Sequence, residues 1–271
     1  MKHVFPFILM APLKTKCFHL NSKNWRDYST KLYMKKGVLN NEIFYSPKSS
    51  NQIQYVEYLN NNKYDLIVAV GPAGCGKTMF ACLKAIESLK KNLVNKIIVT
   101  RPVVPVEEDI GYLPGNIIKK MDPWTRPIFD IFLEYYSQNE INQMLNNGII
   151  EISPLAYMRG RTFKNSFIIA DEMQNSSPNQ MMMLTTRIGI NSKMVVTGDL
   201  QQTDKLIDNG LKDFISKLEV YNRHFYNISN NHDIKLVRLN SSDVMRSQVV
   251  EKVLKMYNIN NIIKTETTIC C

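Results

Sequence analysis

"DLIVAVGPAGCGKTMFACLKAIESLK", residues 65–90, decides how this chain folds. An apolar run of strand length, Leu66 to Val70, leads into a loop with glycines at 71, 74 and 76. Beyond the loop, Met79, Cys82, Leu83, Ile86 and Leu89 fall at i, i+3, i+4, i+7 and i+10, one face of a helix. The loop itself, Gly71-Pro72-Ala73-Gly74-Cys75-Gly76-Lys77-Thr78, matches G-x-x-x-x-G-K-[ST] between a strand and a helix, the setting that motif requires. Its glycines let the backbone curl so that successive N–H groups point inward, and the helix N-terminus adds partial positive charge. Lys77 brings a full charge to the β- and γ-phosphates of a nucleotide, and the Thr78 hydroxyl can ligate magnesium. Cys75 fills a variable position, so its thiol is incidental to phosphate binding.

Such a loop needs a carboxylate from a second strand end to hold the magnesium ion. "FIIADEMQN", residues 167–175, supplies one: an apolar run ends in Asp171, and Glu172 follows directly. Asp171 is placed to bind the ion through water, and Glu172 to orient and deprotonate an attacking water. The pair reads as an ATPase or GTPase centre. A small-molecule kinase shares the phosphate loop but is disfavoured, because a water-activating carboxylate would hydrolyse the nucleotide instead of passing its phosphate to an acceptor.

Further apolar runs of strand length lie at 97–100, 149–152, 194–197 and 234–239. They are nearly continuous and not alternating, which marks strands covered on both faces. Ser177, Pro178 and Gln180 form a helix start with a capping residue, a proline in the first turn and the reciprocal amide. Met181 to Leu184 are then that helix's packed surface. Strands alternating with helices imply an α/β fold, a mostly parallel sheet flanked by helices and joined by right-handed crossovers. "PWTRP", residues 123–127, reads as a proline-rich loop over a buried Trp124, the alternative being Trp124 and Arg126 stacking on a single-stranded base. Arg159 and Arg161 either contact nucleic-acid backbone or a neighbouring protomer, or form an internal ion pair.

The chain has 271 residues and a net charge of +10. Eight of its 34 Lys and Arg stand in residues 1–36 against a single acid, Asp27, so most of the basic excess belongs to this extension and not to the body. The extension is expected to be an uncleaved tail, or alternatively a transit peptide leading to an organelle matrix. No charge-free apolar stretch of bilayer length occurs, so no integral membrane association is expected. Five cysteines without a C-x-x-C pair indicate neither a disulfide framework nor a zinc site, and fit an intracellular, cytoplasmic setting. The expected organisation is a tail at 1–36, an ATPase domain at 37–257 and a C-terminal tail at 258–271.

Roughly residues 45 to 257 resemble the PhoH-like proteins, RecA-like P-loop ATPases related to the first domain of superfamily 1 helicases. The likeness rests on "NQIQYV", "GPAGCGKT", "TRPVVP", "GYLPG", "DPWTRPIFD", "IEISPLAYMRGRT", "FIIADEMQN", "RIGINSKMVVTGDLQQTD" and "DVMRSQVV", in that order along the chain. Met173 departs from the small residue usual after the acidic pair, and residues 1–36 lie outside the pattern. The resemblance implies ATP and Mg2+ as cofactors. It also implies that Gln52 reads the adenine edge and that Gln202 senses the γ-phosphate beside Asp199, with Gln201 as the neighbouring alternative. Arg246 is implied to act at the γ-phosphate as an arginine finger, in its own subunit or a neighbour's. Read from the residues alone, Arg246 could equally lay its stem on the surface with its head in water. Single-stranded RNA or DNA is the implied partner. One RecA-like unit cannot grip and step by itself, so motor action would need a homo-oligomer. A nucleotide-switched binding protein with little turnover is the remaining alternative.

Overall fold

The computed structural model describes residues 45–102, 117–202, 209–225 and 234–245 together with 249, 252 and 256, with backbone alone at 117–124 and 225. Six strands are present: β1 (Leu66–Val70), β2 (Lys96–Thr100), β3 (Ile150–Ile152), β4 (Ser166–Ala170), β5 (Lys193–Gly198) and β6 (Ile234–Arg238). They form one sheet in the order β3-β2-β4-β5-β1-β6, and every neighbouring pair is parallel. All six match the apolar runs to within two residues at each end. The helices are α1 (Ser50–Asn60), α2 (Lys77–Lys90), α3 (Ile117–Leu133), α4 (Gln138–Asn146), α5 (Pro178–Thr185) and α6 (Gly210–Phe225). This is the RecA-like P-loop NTPase architecture expected.

Strand side chains alternate between faces, and along β1, β2, β4 and β5 both faces are buried, whereas the edge strands β3 and β6 are only partly covered. Ile67, Ala69, Ile97, Val99, Phe167, Ile169 and Val195 join one core with Tyr55 and Leu59 of α1, Phe80, Ala81, Ala85 and Ile86 of α2, Ile128 and Phe132 of α3 and Ile141 of α4. Leu66, Val68, Val70, Ile98, Ile168, Ala170, Met194 and Val196 join the other, with Met181 and Leu184 of α5 and Leu211 and Ile215 of α6. Full burial of an aliphatic side chain stabilises by about 1.5–3 kcal/mol, so the central strands are strongly fixed in register. The methionine-rich start of α5 divides: Met181 and Leu184 are buried, whereas Met182 faces solvent.

The capping box at the start of α5 forms as expected, Ser177 and Gln180 exchanging bonds. A second one, Ser137 with Glu140, opens α4. The proline-rich loop expected at 123–127 is corrected, because α3 runs through both prolines. Each proline removes a helical hydrogen bond, but Thr125, Ile128 and Phe132 are buried, and that burial on the core side holds the helix. The side chain of Trp124 and the residue Arg246 lie outside what is described, as do the two tails.

Parallel strands end on the same edge of a sheet, and ligands in open α/β sheets bind at that carboxyl edge. β1, β5, β4 and β2 are consecutive neighbours, so the residues that follow them stand side by side: Gly71, Asp199, Asp171 and Arg101. Two backbone bonds extend the ladders past the strand ends, from the Gly71 N–H to the Gly198 carbonyl at 3.2 Å and from the Asp171 N–H to the Thr100 carbonyl at 2.9 Å.

Candidate nucleotide site

The phosphate loop leaves β1 under close constraint. A Cβ at Gly71 would lie 2.5 Å from the Leu239 carbonyl oxygen, so only glycine lets the chain pass. Gly76, at φ +90°, serves as the N-cap of α2 and supplies no side-chain capping bond. The first N–H groups of α2 have no intrahelical acceptor and no capping side chain at Gly76, the arrangement that attracts an anion. Lys77 is buried, and its ammonium group donates to the carbonyls of Gly71 at 2.7 Å and Pro72 at 2.8 Å and approaches the Cys75 sulfur at 3.7 Å. The Lys77 carbonyl accepts the Tyr55 hydroxyl at 3.0 Å, joining α1 to the start of α2. Burial raises the Tyr55 phenol and the Cys75 and Cys82 thiols above their ordinary values, so none supplies a ready anion at neutral pH.

Thr78 and Asp171, 93 residues apart in sequence, share a hydrogen bond of 2.7 Å between Oγ1 and Oδ1. The same Asp171 oxygen accepts the Thr197 hydroxyl from the end of β5. Sequence reasoning passed over Thr197; its position just before Gly198-Asp199 at a strand end was the available signal. A hydroxyl beside a nearly buried carboxylate forms a hard-oxygen donor set that fits magnesium. Among the described residues no group of three or more His, Cys, Asp or Glu is placed to hold a metal.

Glu172 sits beside this pair in left-handed backbone, φ 53° and ψ 38°. Its Oε2 accepts the Gln174 side-chain amide at 2.5 Å, and its Oε1 lies 3.6 Å from Nη2 of Arg101. Asp199 is buried and accepts the Gln201 N–H at 2.9 Å on Oδ1, while the exposed Gln202 donates its backbone N–H to the Asp199 carbonyl at 3.2 Å. Met173 is fully buried in the core that contains Leu211, so its size is absorbed by packing below the site.

Gln52 is placed next to the phosphate loop with only 2% of its surface exposed. Its amide donates to the carbonyls of Cys75 at 3.1 Å and Asp243 at 3.0 Å, and its oxygen accepts the Lys48 N–H at 2.8 Å. Both N–H donors are thus committed to protein partners, and an adenine edge would have to exchange with them. Asp243, in turn, accepts from Asn51 at 2.9 Å and from the Asn240 N–H at 2.7 Å, and Met245 N–H reaches the Gly74 carbonyl at 3.3 Å. The chain leading towards Arg246 is therefore laid against the phosphate loop. These contacts, spanning about 190 residues of sequence, had no local signal. Arg161 takes the internal option: it pairs with Glu151 through both nitrogens, one at 3.0 Å, and lies 4.6 Å over the Phe163 ring. Its hydrogen bonds hold the Glu151 carboxyl below the usual carboxylate range. Arg159 and Arg126 are exposed.

With this geometry in hand, comparison with known proteins is decisive on ancestry: the family described as PhoH-like protein matches residues 45–258. The chain belongs to the PhoH-like family. A PhoH-like protein of Bacillus subtilis is 40% identical over 214 residues, covering 79% of this chain and 64% of its own length. Protein PhoH of Escherichia coli K12 is 37% identical over 221 residues, covering 78% of this chain and 57% of its own. The chain thus spans about three fifths of the length of these family members. A Sulfolobus solfataricus SWI2/SNF2 ATPase core in complex with dsDNA superposes loosely, at 13% identity and a TM-score of 0.41 over 75% of this chain and 47% of that one. Among the described residues no helix is long and apolar enough to cross a membrane.

Proposed function

We propose that this protein is a magnesium-dependent ATPase that works on or with single-stranded RNA or DNA. The observation that carries the reading is the Thr78–Asp171 hydrogen bond, which joins the phosphate loop to the acidic strand end with Glu172 alongside. In this reading the N–H groups of Gly74, Gly76, Lys77 and Thr78 bind the phosphates, and Lys77 moves its ammonium from the Gly71 and Pro72 carbonyls to the β- and γ-phosphate oxygens. Thr78 and Asp171 hold the magnesium ion, which when bound neutralises charge on the β- and γ-phosphates. Glu172 accepts a proton from the attacking water, whose oxygen bonds to the γ-phosphorus as the bond to ADP breaks. Gln202, beside Asp199, senses the γ-phosphate, Arg246 offsets charge there, and Gln52 stands near the nucleotide base. The extension at 1–36 is a tail or address outside the ATPase domain.

The test is phosphate release from ATP and Mg2+ with no acceptor, with and without single-stranded RNA, on protein of measured molecular mass. Steady release well above one equivalent per protomer, stimulated by RNA in an oligomer, is expected. Acceptor-dependent turnover would make the protein a kinase, and a single equivalent would make it a switch.

A further inference from the structure

Among the described residues, Glu172 is the non-glycine residue with positive φ at the carboxyl edge of the sheet. Left-handed backbone costs a residue bearing a Cβ about 1–2 kcal/mol, so the surrounding chain must hold it there. Backbone bonds do part of this: Asn175 N–H reaches the Glu172 carbonyl at 3.2 Å, and Ser176 N–H and hydroxyl both reach the Met173 carbonyl, at 3.1 and 2.6 Å. The side chain is also held, from two sides.

On one side is Arg101. Thr100 pairs with Ala170 across the parallel ladder, so Arg101 and Asp171 leave the sheet as neighbours, and the turn at Glu172 brings its carboxylate to the guanidinium at 3.6 Å. On the other side is Gln174, 2% exposed. Its NH2 donates to Glu172 Oε2 at 2.5 Å and to the Gln202 carbonyl at 3.3 Å, and its oxygen accepts the Asp199 N–H at 3.1 Å. A Cβ at Gly198 would stand 2.8 Å from that oxygen, so the amide is seated directly over the end of β5.

We infer that Arg101 and Gln174 are positioning residues that fix the two carboxylate oxygens of Glu172 and, through Gln174, tie them to the chain at 198–202. The inference rests on the reading of Glu172 as the base. With one oxygen engaged by each neighbour, the lone pairs that remain are confined to one set of directions instead of sweeping the mouth of the site. A purely stabilising role for the Arg101 pair is small: both side chains are about one-third exposed, at 27% and 35%, and such ion pairs contribute little to folding. Gln174 completes the link, since any shift of the Asp199–Gln202 segment is passed to the carboxylate through one rigid amide.

The experiment measures kcat and KM for ATP with Mg2+, affinity for a fluorescent ATP analogue, and the thermal midpoint on the full chain. Arg101→Ala and Gln174→Ala should each lower kcat by about 10- to 100-fold, the scale of a misplaced catalytic group, while analogue affinity holds. Arg101→Lys should recover part of the loss, because it keeps the cation without the planar fork. In a Glu172→Gln background neither alanine substitution should slow the residual single-turnover rate further. Losses that persist in that background, or an unchanged kcat in both alanine variants, would overturn the inference while leaving the ATPase reading intact. Full turnover by Glu172→Gln itself would overturn the inference together with the assignment of Glu172 as the base.

Discussion

The two edges of the sheet use the same backbone device for opposite ends. At the amino edge, Asn165 and Asn191 adopt left-handed backbone at φ 49° and 56°, and at the carboxyl edge Glu172 does so at φ 53°. Asparagine tolerates this conformation and glutamate does so less readily. The amino edge also closes its polar groups on itself. Ser192 donates to the Phe163 carbonyl at 2.8 Å and accepts the Ser166 N–H at 3.0 Å; Asn191 bonds Asn165 at 3.1 Å. Lys193 donates to the Leu59 and Asn61 carbonyls, each at 2.8 Å, at the end of α1. The carboxyl edge instead gathers Lys77, Thr78, Asp171, Glu172 and Asp199 with a strained backbone among them. One edge is turn chemistry closed on itself; the other holds a non-glycine residue in left-handed backbone where charged groups gather, the pattern that motivates the proposed role of Glu172.

The largest effect that sharpens this contrast is Lys77→Ala, which should lower ATP affinity and turnover together by at least about 100-fold, read by nucleotide titration and phosphate release. Unchanged binding would contradict the phosphate cradle. A paired substitution tests the strain itself. Glu172→Gly should raise the unfolding free energy by up to about 1 kcal/mol while removing turnover, and Asn165→Ala should lower it by about 1 kcal/mol with turnover kept. Chemical denaturation of both variants measures this; equal signs would erase the difference between the edges.

A smaller effect belongs to the amino edge alone. Burial, chiefly, with the nearby Lys84 charge, lowers the Lys193 ammonium to about 8, while Asp65 opposes the shift. Between about pH 8 and the ordinary lysine value, the folded chain has released a proton that the unfolded chain still holds, so stability rises with pH across that window. The gain should be on the order of 1 kcal/mol after allowance for partial exposure, and absent in Lys193→Met. Denaturation curves between pH 7 and pH 10 would show it. Smallest of all, deleting residues 1–36 should leave ATP hydrolysis unchanged; its collapse would make that segment part of the enzyme.

Much of the fold was legible because its signals are local. Continuous apolar runs marked doubly covered strands, and Ser177 with Gln180 marked a helix start. The helix at 117–133 was hidden by Pro123 and Pro127, whose local cost is outweighed by the burial of Ile128 and Phe132, a tertiary fact. Within the site, the phosphate loop and Asp171-Glu172 carry motif spacing that a sequence displays. Arg101, Gln174 and Thr197 stand inside blocks that carry the family resemblance, but no local spacing gives their contacts, which come from strand order and register: β5 stands between β1 and β4, and β2 beyond β4. The engagement of the Gln52 amide by Cys75 and Asp243 was equally out of reach, because one partner lies 191 residues away.

The most direct measurement compares wild type with Glu172→Gln for phosphate release from ATP and Mg2+, with ATP-analogue binding measured in parallel. Binding should be retained and release should fall by about 100-fold or more, the scale of general-base catalysis. Release at the wild-type rate with binding intact would contradict the account, because the strained carboxylate at the sheet edge would then not be the group that activates water.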